Sequence, residues 1–464
     1  MAAGLQRSLA KLQADGAGDA ALAAFRAHGE QLLAGATGVL PESTLEPVTG
    51  LLDADDLLPA GAESAALLDA TVVLKLNGGL GTSMGMTRAK ALLPIKDGLT
   101  FLDITARQIV ALRERHSAAQ PRLPLVLMNS FATRADSLAA LAAQGSMSAD
   151  LPADLVQSRV PKLLDDGSLG PAVWPPDPAL EWAPPGHGDL YAALVRSGLL
   201  HTMIERGYRY AFVSNADNLG AVVDTRILSW FAGAQIPFMM EVADRTDADR
   251  KGGHLARRVA DGRLVLREIA QTAAGDLDAF QDITRHRYFN TNTIWLDLRA
   301  LDARLERDGF LDLPMIVNRK TLDPAQPSSP PVLQLETAMG AAIGAFPSAQ
   351  ALRVPRSRFA PVKTTDDLLV LRSDAYALDA SARLVLVPER DGVAPRARLD
   401  PVHYKLITDF DARFPGGAPS LVACDTLTVH GDVTFGAGVT LSGDVRLDAP
   451  SAQVIPAGTT VAGV

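Results

Sequence analysis

The sequence predicts an α/β fold built on a mostly parallel sheet, followed by a parallel β-helix at its C-terminal end. From Thr71 onward short β-rich runs alternate with helical patterns, the order in which helices cover both faces of a parallel sheet. The first of those runs leads into a glycine-dense turn, KLNGGLGTSMGMTRAK. Near the end, Leu421, Leu427, Val433, Val439 and Val445 recur every six residues, and Ile455 and Val461 keep that step after a slip. Such a step, with Gly or Asp between aliphatics, suits β-helix coils whose sides each need one inward aliphatic.

Along the chain, residues 1–70 read as a helical segment. Leu5, Leu9 and Leu12 have helical spacing, and DAALAAFRAHGEQLLAG offers Asp19 as a cap, Leu22, Phe25 and Leu32 on an inner face, and Gly35 as a stop. Residues 71–375 form the main domain. TVVLKL, LPLVLMNS, YRYAFVSN and IPFMMEV are its strands; FLDITARQIVALRERH, GDLYAALVRSGLLHTMIERG and DTRILSWFAG are its helices. RRVADGRLVLREIA places Asp261-Gly262 between two apolar runs and predicts a hairpin. Residues 376–464 hold the six-residue repeat.

Composition narrows the function. The chain has 464 residues, 47% hydrophobic and 21% charged, enough for a large core and two or three domains. Its one cysteine, Cys424, allows no intrachain disulfide and no multi-cysteine zinc site. Net charge is −9 with both signs interspersed, so no basic stripe awaits nucleic acid. No run approaches the roughly 20 apolar residues of a membrane span. A cytoplasmic protein without nucleic-acid or membrane partners is the expectation.

The glycine turn points to a phosphate, because glycines permit close backbone approach and leave N–H groups aimed at an anion. A Walker A loop requires G-x-x-x-x-G-K-[ST], which is absent. Gly79, Gly81 and Gly85 are spaced G-x-G-x-x-x-G, with Met84 where a dinucleotide fingerprint has its third glycine. A looser dinucleotide loop and a sugar-nucleotidyltransferase loop, with Lys90 folding back over the glycines, both stay open at this point.

Further constellations lie downstream. YRYAFVSNADNLG ends a strand in Asn215 and Asp217, and a carboxylate at that end of a parallel strand is placed for Mg²⁺ bridging phosphates. WAPPGHGDLYAAL sets His187 between two glycines before a helix. VPRSRFAPVKTTDDLL carries Arg356, Arg358 and Lys363 in a proline-broken loop, readable as a solvated basic surface or as a clamp for polyphosphate. No nucleophile elbow and no histidine metal cluster occur, which removes covalent acyl chemistry and zinc hydrolysis.

At this point KLNGGLGTSMG, DGLTFLD, LVLMNSF, PPGHGDLYA, FVSNADNLGA, KGG at 251–253, FNTN at 289–292, VLQLETAMGAAIG, VPRSRFAPVKTT and LTVHGDVTFG resemble, in order, the eukaryotic-type UTP-glucose-1-phosphate uridylyltransferases, also called UDP-glucose pyrophosphorylases. The resemblance covers about residues 71–440. It implies a Rossmann-like catalytic domain, a C-terminal left-handed β-helix, and conversion of UTP and glucose 1-phosphate to UDP-glucose and pyrophosphate with Mg²⁺. It further implies that the backbone of Leu76, Asn77, Gly78 and Gly79 holds nucleotide, that Met128 and Gln157 meet the uracil, and that Gly186 lies close to the base. His187 would touch the sugar phosphate, Asn215 the nucleotide or sugar, and Asp217 the Mg²⁺. Glu268, Asn290 and Asn292 would reach the glucose hydroxyls, while Lys90 and Lys363 would contact the phosphates in transfer.

Where many relatives have K-G-P-K, this chain has Thr87-Arg88-Ala89-Lys90; Arg88 is the candidate substitute for the missing charge. Self-association through the exposed end of the β-helix is expected. The rival readings are a uridylyltransferase for galactose or N-acetylglucosamine 1-phosphate, a hexapeptide-repeat acyltransferase, and a noncatalytic nucleotide sensor.

Overall fold

The computed structural model describes residues 3–116, 121–145 and 147–463; residues 1–2 of the N-terminal segment and residue 464 of the C-terminal one lie outside it. Ten strands form the main sheet. They are β1 (Leu45–Pro47), β2 (Thr71–Asn77), β3 (Leu125–Asn129), β4 (Asp154–Val156), β5 (Tyr210–Asn215), β6 (Phe238–Asp244), β7 (His254–Arg258), β8 (Leu264–Arg267), β9 (Tyr288–Asp297) and β10 (Gln350–Arg353). The order across the sheet is β1-β7-β9-β5-β2-β3-β4, with β6 pairing β9 and β10, and β8 pairing β7. β2 and β5 are apolar on both faces and almost wholly buried, the texture of central strands covered on each side.

The sheet is mixed, as expected, but its antiparallel pairings outnumber the parallel ones, a correction to the expectation that most would be parallel. β2 runs parallel to β3 and β5, β3 to β4, and β6 to β10. β9 is antiparallel to β5, β6 and β7. The hairpin at Asp261-Gly262 forms as expected, with Gly262 at φ 69°. A hairpin returns the chain without a crossover helix, and β9 then inserts antiparallel between β5 and β6.

The helix over Phe101–Arg115 starts with a reciprocal cap: Asp103 N–H donates to Thr100 Oγ1 at 3.1 Å, and Thr100 N–H to Asp103 Oδ2 at 2.9 Å. The helical pattern after Gly188 splits into Leu190–Arg196 and Leu199–Glu205, because Gly198 takes φ 69°. At the N-terminus, helices Ala3–Ala14 and Asp19–Leu33 bury Leu5, Leu9, Leu12 and Phe25 against Val160, Leu163, Leu333 and Leu335. Asp19 sits in the first turn of its helix, with Gly18 at the cap position, and helix does not fill the rest of the segment: β1 and short turns precede Ser64–Asp69.

The C-terminal segment is not the left-handed β-helix expected. It is a four-stranded parallel sheet of β11 (Arg396–Arg398), β12 (Ser420–Phe435), β13 (Thr440–Ile455) and β14 (Thr460–Ala462). Six is a multiple of the two-residue strand period, so the step that suggested coils equally places Leu421, Leu427 and Val433 inward along one long strand. All three are fully buried. Register shifts near Cys424 and Gly431 bend the strand.

This sheet shares its apolar core with the main one. Phe212 and Trp295 belong to the same buried cluster as Tyr404, Phe414, Leu427 and Phe435, and Phe435 stacks on Phe414 with ring centroids 5.0 Å apart. Phe435→Ala is therefore expected to remove about 3–5 kcal/mol, measured as a lower urea midpoint for the whole chain. An unchanged midpoint would contradict the shared core.

Candidate active site

Parallel pairing decides where the site lies. Leu76 of β2 stands opposite Asn215 of β5 and Met128 of β3, so the residues that follow each strand leave from one edge, where open α/β sheets bind ligands. A crevice of about 940 Å³, mouth included, opens there. Leu76, Asn77, Gly78, Gly79, Lys90, Met128, Gln157, Gly186, His187, Asn215 and Asp217 line it together.

The glycine turn is shaped by contact as well as by φ. A Cβ on Gly78 would stand 2.7 Å from Gln157 Oε1, whereas one on Gly79 would meet open space. Gly81 and Gly85 take φ 68° and 72°, conformations that favour glycine. Lys90 N–H then donates to the Gly79 carbonyl at 3.1 Å, folding the lysine back over the glycines. Its Nζ reaches Asp217 Oδ2 at 2.6 Å. In the altered stretch Thr87 and Arg88 are exposed and Ala89 is buried; Arg88 is not among the crevice residues, so Lys90 supplies the charge there. The Asn77 side chain points into the fold and donates to Asn129 Oδ1 and Ser137 Oγ at 2.8 and 2.7 Å.

His187 is held by backbone atoms that no sequence pattern marked. Gly186 has φ 78°, and a Cβ on it would approach Thr337 O to 2.4 Å; one on Gly188 would approach Thr337 Oγ1 to 2.2 Å. These glycines let the Thr337–Met339 segment pack down, and Met339 N–H donates to His187 Nδ1 at 2.8 Å. Nδ1 is thus an acceptor, which leaves the proton on Nε2. Burial lowers the pKa of this imidazole to about 4, so at neutral pH it is an uncharged donor. Nearby, buried Asp189 accepts from Ser158 N–H at 2.6 Å and steadies the residue next to Gln157; burial raises its pKa to about 6.

Glu268, Asn290, Asn292 and Lys363 are not among the residues lining the crevice. They gather beside it, beyond the Thr337–Gly340 segment: a Cβ on Gly340 would lie 3.3 Å from Asn290 Nδ2. Asn290 Nδ2 donates to Asn292 Oδ1 at 2.9 Å. Gly252 and Gly253 leave no room for a side chain, since a Cβ there would meet Phe289 at 2.1 Å and Glu268 Oε1 at 2.5 Å. Burial raises the Glu268 pKa, with the charge of Lys363 opposing the rise. The Lys363 ammonium rests over the rings of Phe289 and Phe359 at 5.8 and 5.7 Å. Among the described residues no group of three His, Cys, Asp or Glu side chains is placed to hold a metal.

Thr337 and Met339 went unassigned because what they bring to the His187 turn is a carbonyl, a hydroxyl and a main-chain amide; the string VLQLETAMGAAIG was their one signal. Pro184, Ala91 and Ala216 also line the crevice and carry no chemistry that sequence could flag.

Glycine amides, a lysine–carboxylate pair and a neutral imidazole donor at the end of parallel strands are the apparatus of a nucleotidyltransferase. Residues 24–442 match the family model described as UTP–glucose-1-phosphate uridylyltransferase, and the chain belongs to that family. It is 40% identical over 405 residues to the UTP–glucose-1-phosphate uridylyltransferase of Solanum tuberosum, covering 86% of this chain and 82% of that one. Among solved structures, the UDP-glucose pyrophosphorylase of Leishmania major, known in open and closed forms, superposes with TM-score 0.92 at 46% identity, covering 100% of this chain and 99% of that one. A Trypanosoma brucei UDP-glucose phosphorylase gives TM-score 0.88 at 43% identity, covering 99% and 98%.

Because the folded pKa of His187 is depressed from its ordinary 6.5, the unfolded chain takes up that proton first, and the group costs stability as pH falls from about 6.5 toward 4. Its charge state does not change above pH 5. The kcat/KM profile is therefore expected to show no limb from this imidazole between pH 5 and 8; an acid limb abolished by His187→Gln would contradict its neutral state there. Gly186→Ala, strained in φ and crowded against Thr337, should lower kcat/KM by more than tenfold while Gly79→Ala, facing open space, leaves the fold intact by thermal melting.

Proposed function

We propose that the chain transfers the uridylyl group of UTP to glucose 1-phosphate, releasing pyrophosphate and UDP-glucose. A phosphate oxygen of the sugar phosphate attacks the α-phosphorus of UTP, the new P–O bond forms, and the bond to the departing pyrophosphate breaks in line with it. The crevice at the shared edge of β2, β3 and β5 carries this reading, because it brings the glycine turn, Lys90, His187, Asn215 and Asp217 to one place.

Two polyanions must meet there, and their repulsion is the main barrier. Lys90, Lys363 and the glycine amides act as fixed positive groups where negative charge builds; Lys363 leaves its aromatic rest to do so. The uracil lies against Met128 and Gln157 with Gly186 beside the base. His187 donates Nε2–H to the sugar phosphate, and Glu268, Asn290 and Asn292 bond the glucose hydroxyls. Asp217 supplies one carboxylate, which suits Mg²⁺ held mainly by substrate phosphates, since that ion needs only one or two protein carboxylates in such sites. Bound there, Mg²⁺ would neutralise phosphate charge, and Lys90 would pass from Asp217 to the nucleotide.

The proposal includes a cytoplasmic setting, which suits the single buried thiol of Cys424, and self-association along the open edge of β14, whose unpaired backbone can accept a further strand. No helix among the described residues is long and apolar enough to cross a membrane.

Pyrophosphate release from UTP tests the reaction: glucose 1-phosphate with Mg²⁺ should support it well above galactose or N-acetylglucosamine 1-phosphate, and no release with glucose 1-phosphate would overturn the reading. Lys363→Ala should lower kcat by about 10²–10³; a change confined to KM would make it a ground-state binding residue. Asp217→Asn should raise the Mg²⁺ concentration needed for half-maximal nucleotide binding, and an unaltered titration would remove Asp217 from the metal.

A further inference from the structure

Two segments of the site are joined by side chains that do not line the crevice. One, the end of β5 and the turn after it, carries Asn215 and Asp217; the other, following β10, carries Lys363. Between them lies Asn218, 2% exposed. Its Nδ2 donates to the Arg358 carbonyl at 3.1 Å, and its Oδ1 accepts from Ala360 N–H at 3.0 Å and Gly220 N–H at 3.2 Å. An antiparallel bridge pairs Asn218 with Pro361. The approach is tight enough to require Gly220, since a Cβ there would stand 2.4 Å from the Ser357 carbonyl.

Arg358 locks the same junction from beneath. Its Nε and Nη2 fork onto the two oxygens of Glu241 at 2.7 and 2.6 Å, and Nη2 also donates to the Val222 carbonyl at 2.9 Å. Glu241 is fully buried, with Trp295 Nε1–H donating to its Oε1 at 2.8 Å. A forked pair of this kind fixes direction as well as distance. Lys75 of β2 adds a third tie, its Nζ donating to Ser214 Oγ at 2.7 Å and to the Ala221 carbonyl at 3.0 Å.

Asn218 is next to Asp217 in sequence, and Lys363 follows Pro361, its bridge partner, by two residues. The bonds therefore begin one residue from the carboxylate and end at Ala360, three residues from the lysine, with the bridge pairing reaching one residue closer. The Asn218 amide oxygen accepts two backbone bonds and its nitrogen donates to a third backbone partner, while the Arg358 guanidinium is turned inward onto Glu241, so both side chains are committed to the junction. We propose that Asn218, braced by the Arg358–Glu241 pair, is a positioning residue that sets where Lys363 stands relative to Asp217 during transfer. This rests on the catalytic reading of Lys363. The unit acts on kcat, because the lysine's placement matters most where charge develops, and a misplacement of about 1 Å is enough to cost on the order of 10²-fold.

The test is a double-mutant cycle between Asn218→Ala and Lys363→Ala, with pyrophosphate release as readout and thermal melting to confirm folding. Asn218→Ala alone is expected to lower kcat about 10- to 100-fold with KM for UTP within about twofold. In the Lys363→Ala background the same change should do almost nothing further, since the group it positions is gone. Asn218→Asp, which keeps both accepted bonds but sets a carboxylate oxygen against the Arg358 carbonyl where an N–H had donated, should lower kcat at least as far as Asn218→Ala, and Arg358→Lys serves if the alanine variant fails to fold. Arg358→Lys, which keeps the charge facing Glu241 but not the fork, should lose kcat in parallel.

A loss from Asn218→Ala that multiplies undiminished onto Lys363→Ala would overturn the proposal by showing a general structural effect, as would a wild-type rate in Asn218→Ala. A wild-type rate in Lys363→Ala alone would instead remove the catalytic reading of that lysine, and with it the residue the brace is proposed to position.

Discussion

The structure depends on the parallel pairing of β2 with β5. With Leu76 opposite Asn215, the two strands end together, and whatever follows them in sequence must meet in space. A turn rich in glycine follows one and a carboxylate follows the other. A one-residue slip would turn every side chain of the strand to the other face of the sheet, so the apolar packing that holds Val72, Val73, Leu74, Phe212 and Val213 at 0–2% exposure also holds the register of the site. Core and chemistry are fixed by the same set of contacts.

Around that edge the charges are arranged for two anionic partners. Lys90 is already drawn to Asp217, and Lys363 rests on an aromatic pair near the buried carboxyl of Glu268. The imidazole of His187 is kept neutral by burial and oriented by the Met339 amide. A cationic histidine would titrate near neutrality, whereas this neutral donor keeps one charge state there.

Much of this was legible in the sequence, for local reasons. The strand TVVLKL, its glycine turn, the helix after Thr100 and the Asp261-Gly262 hairpin each announce themselves locally. β9 did not, because its Asn290-Thr291-Asn292 core reads as loop and its antiparallel place is set by strands far away in the chain. The six-residue step at the C-terminus was real, yet it satisfies a long strand as well as a coil. Of the site, side chains with evident chemistry such as Lys90, His187 and Asp217 could be picked out; Thr337 and Met339 could not, since they contribute a carbonyl, a hydroxyl and an amide that any residue or many residues carry. The Asn218 brace was invisible for the same reason, as its partners are backbone atoms of a segment about 140 residues on.

The central claim is that the crevice holds both substrates at once and transfers the uridylyl group directly, with Lys90, Lys363 and the glycine amides stabilising charge and no side chain carrying it covalently. The stereochemical course at the α-phosphorus tests this most directly. With UTP made chiral by sulfur at the α-phosphate, a single in-line displacement gives UDP-glucose of inverted configuration at phosphorus. Retention would require two displacements and a uridylylated residue, and would contradict the account.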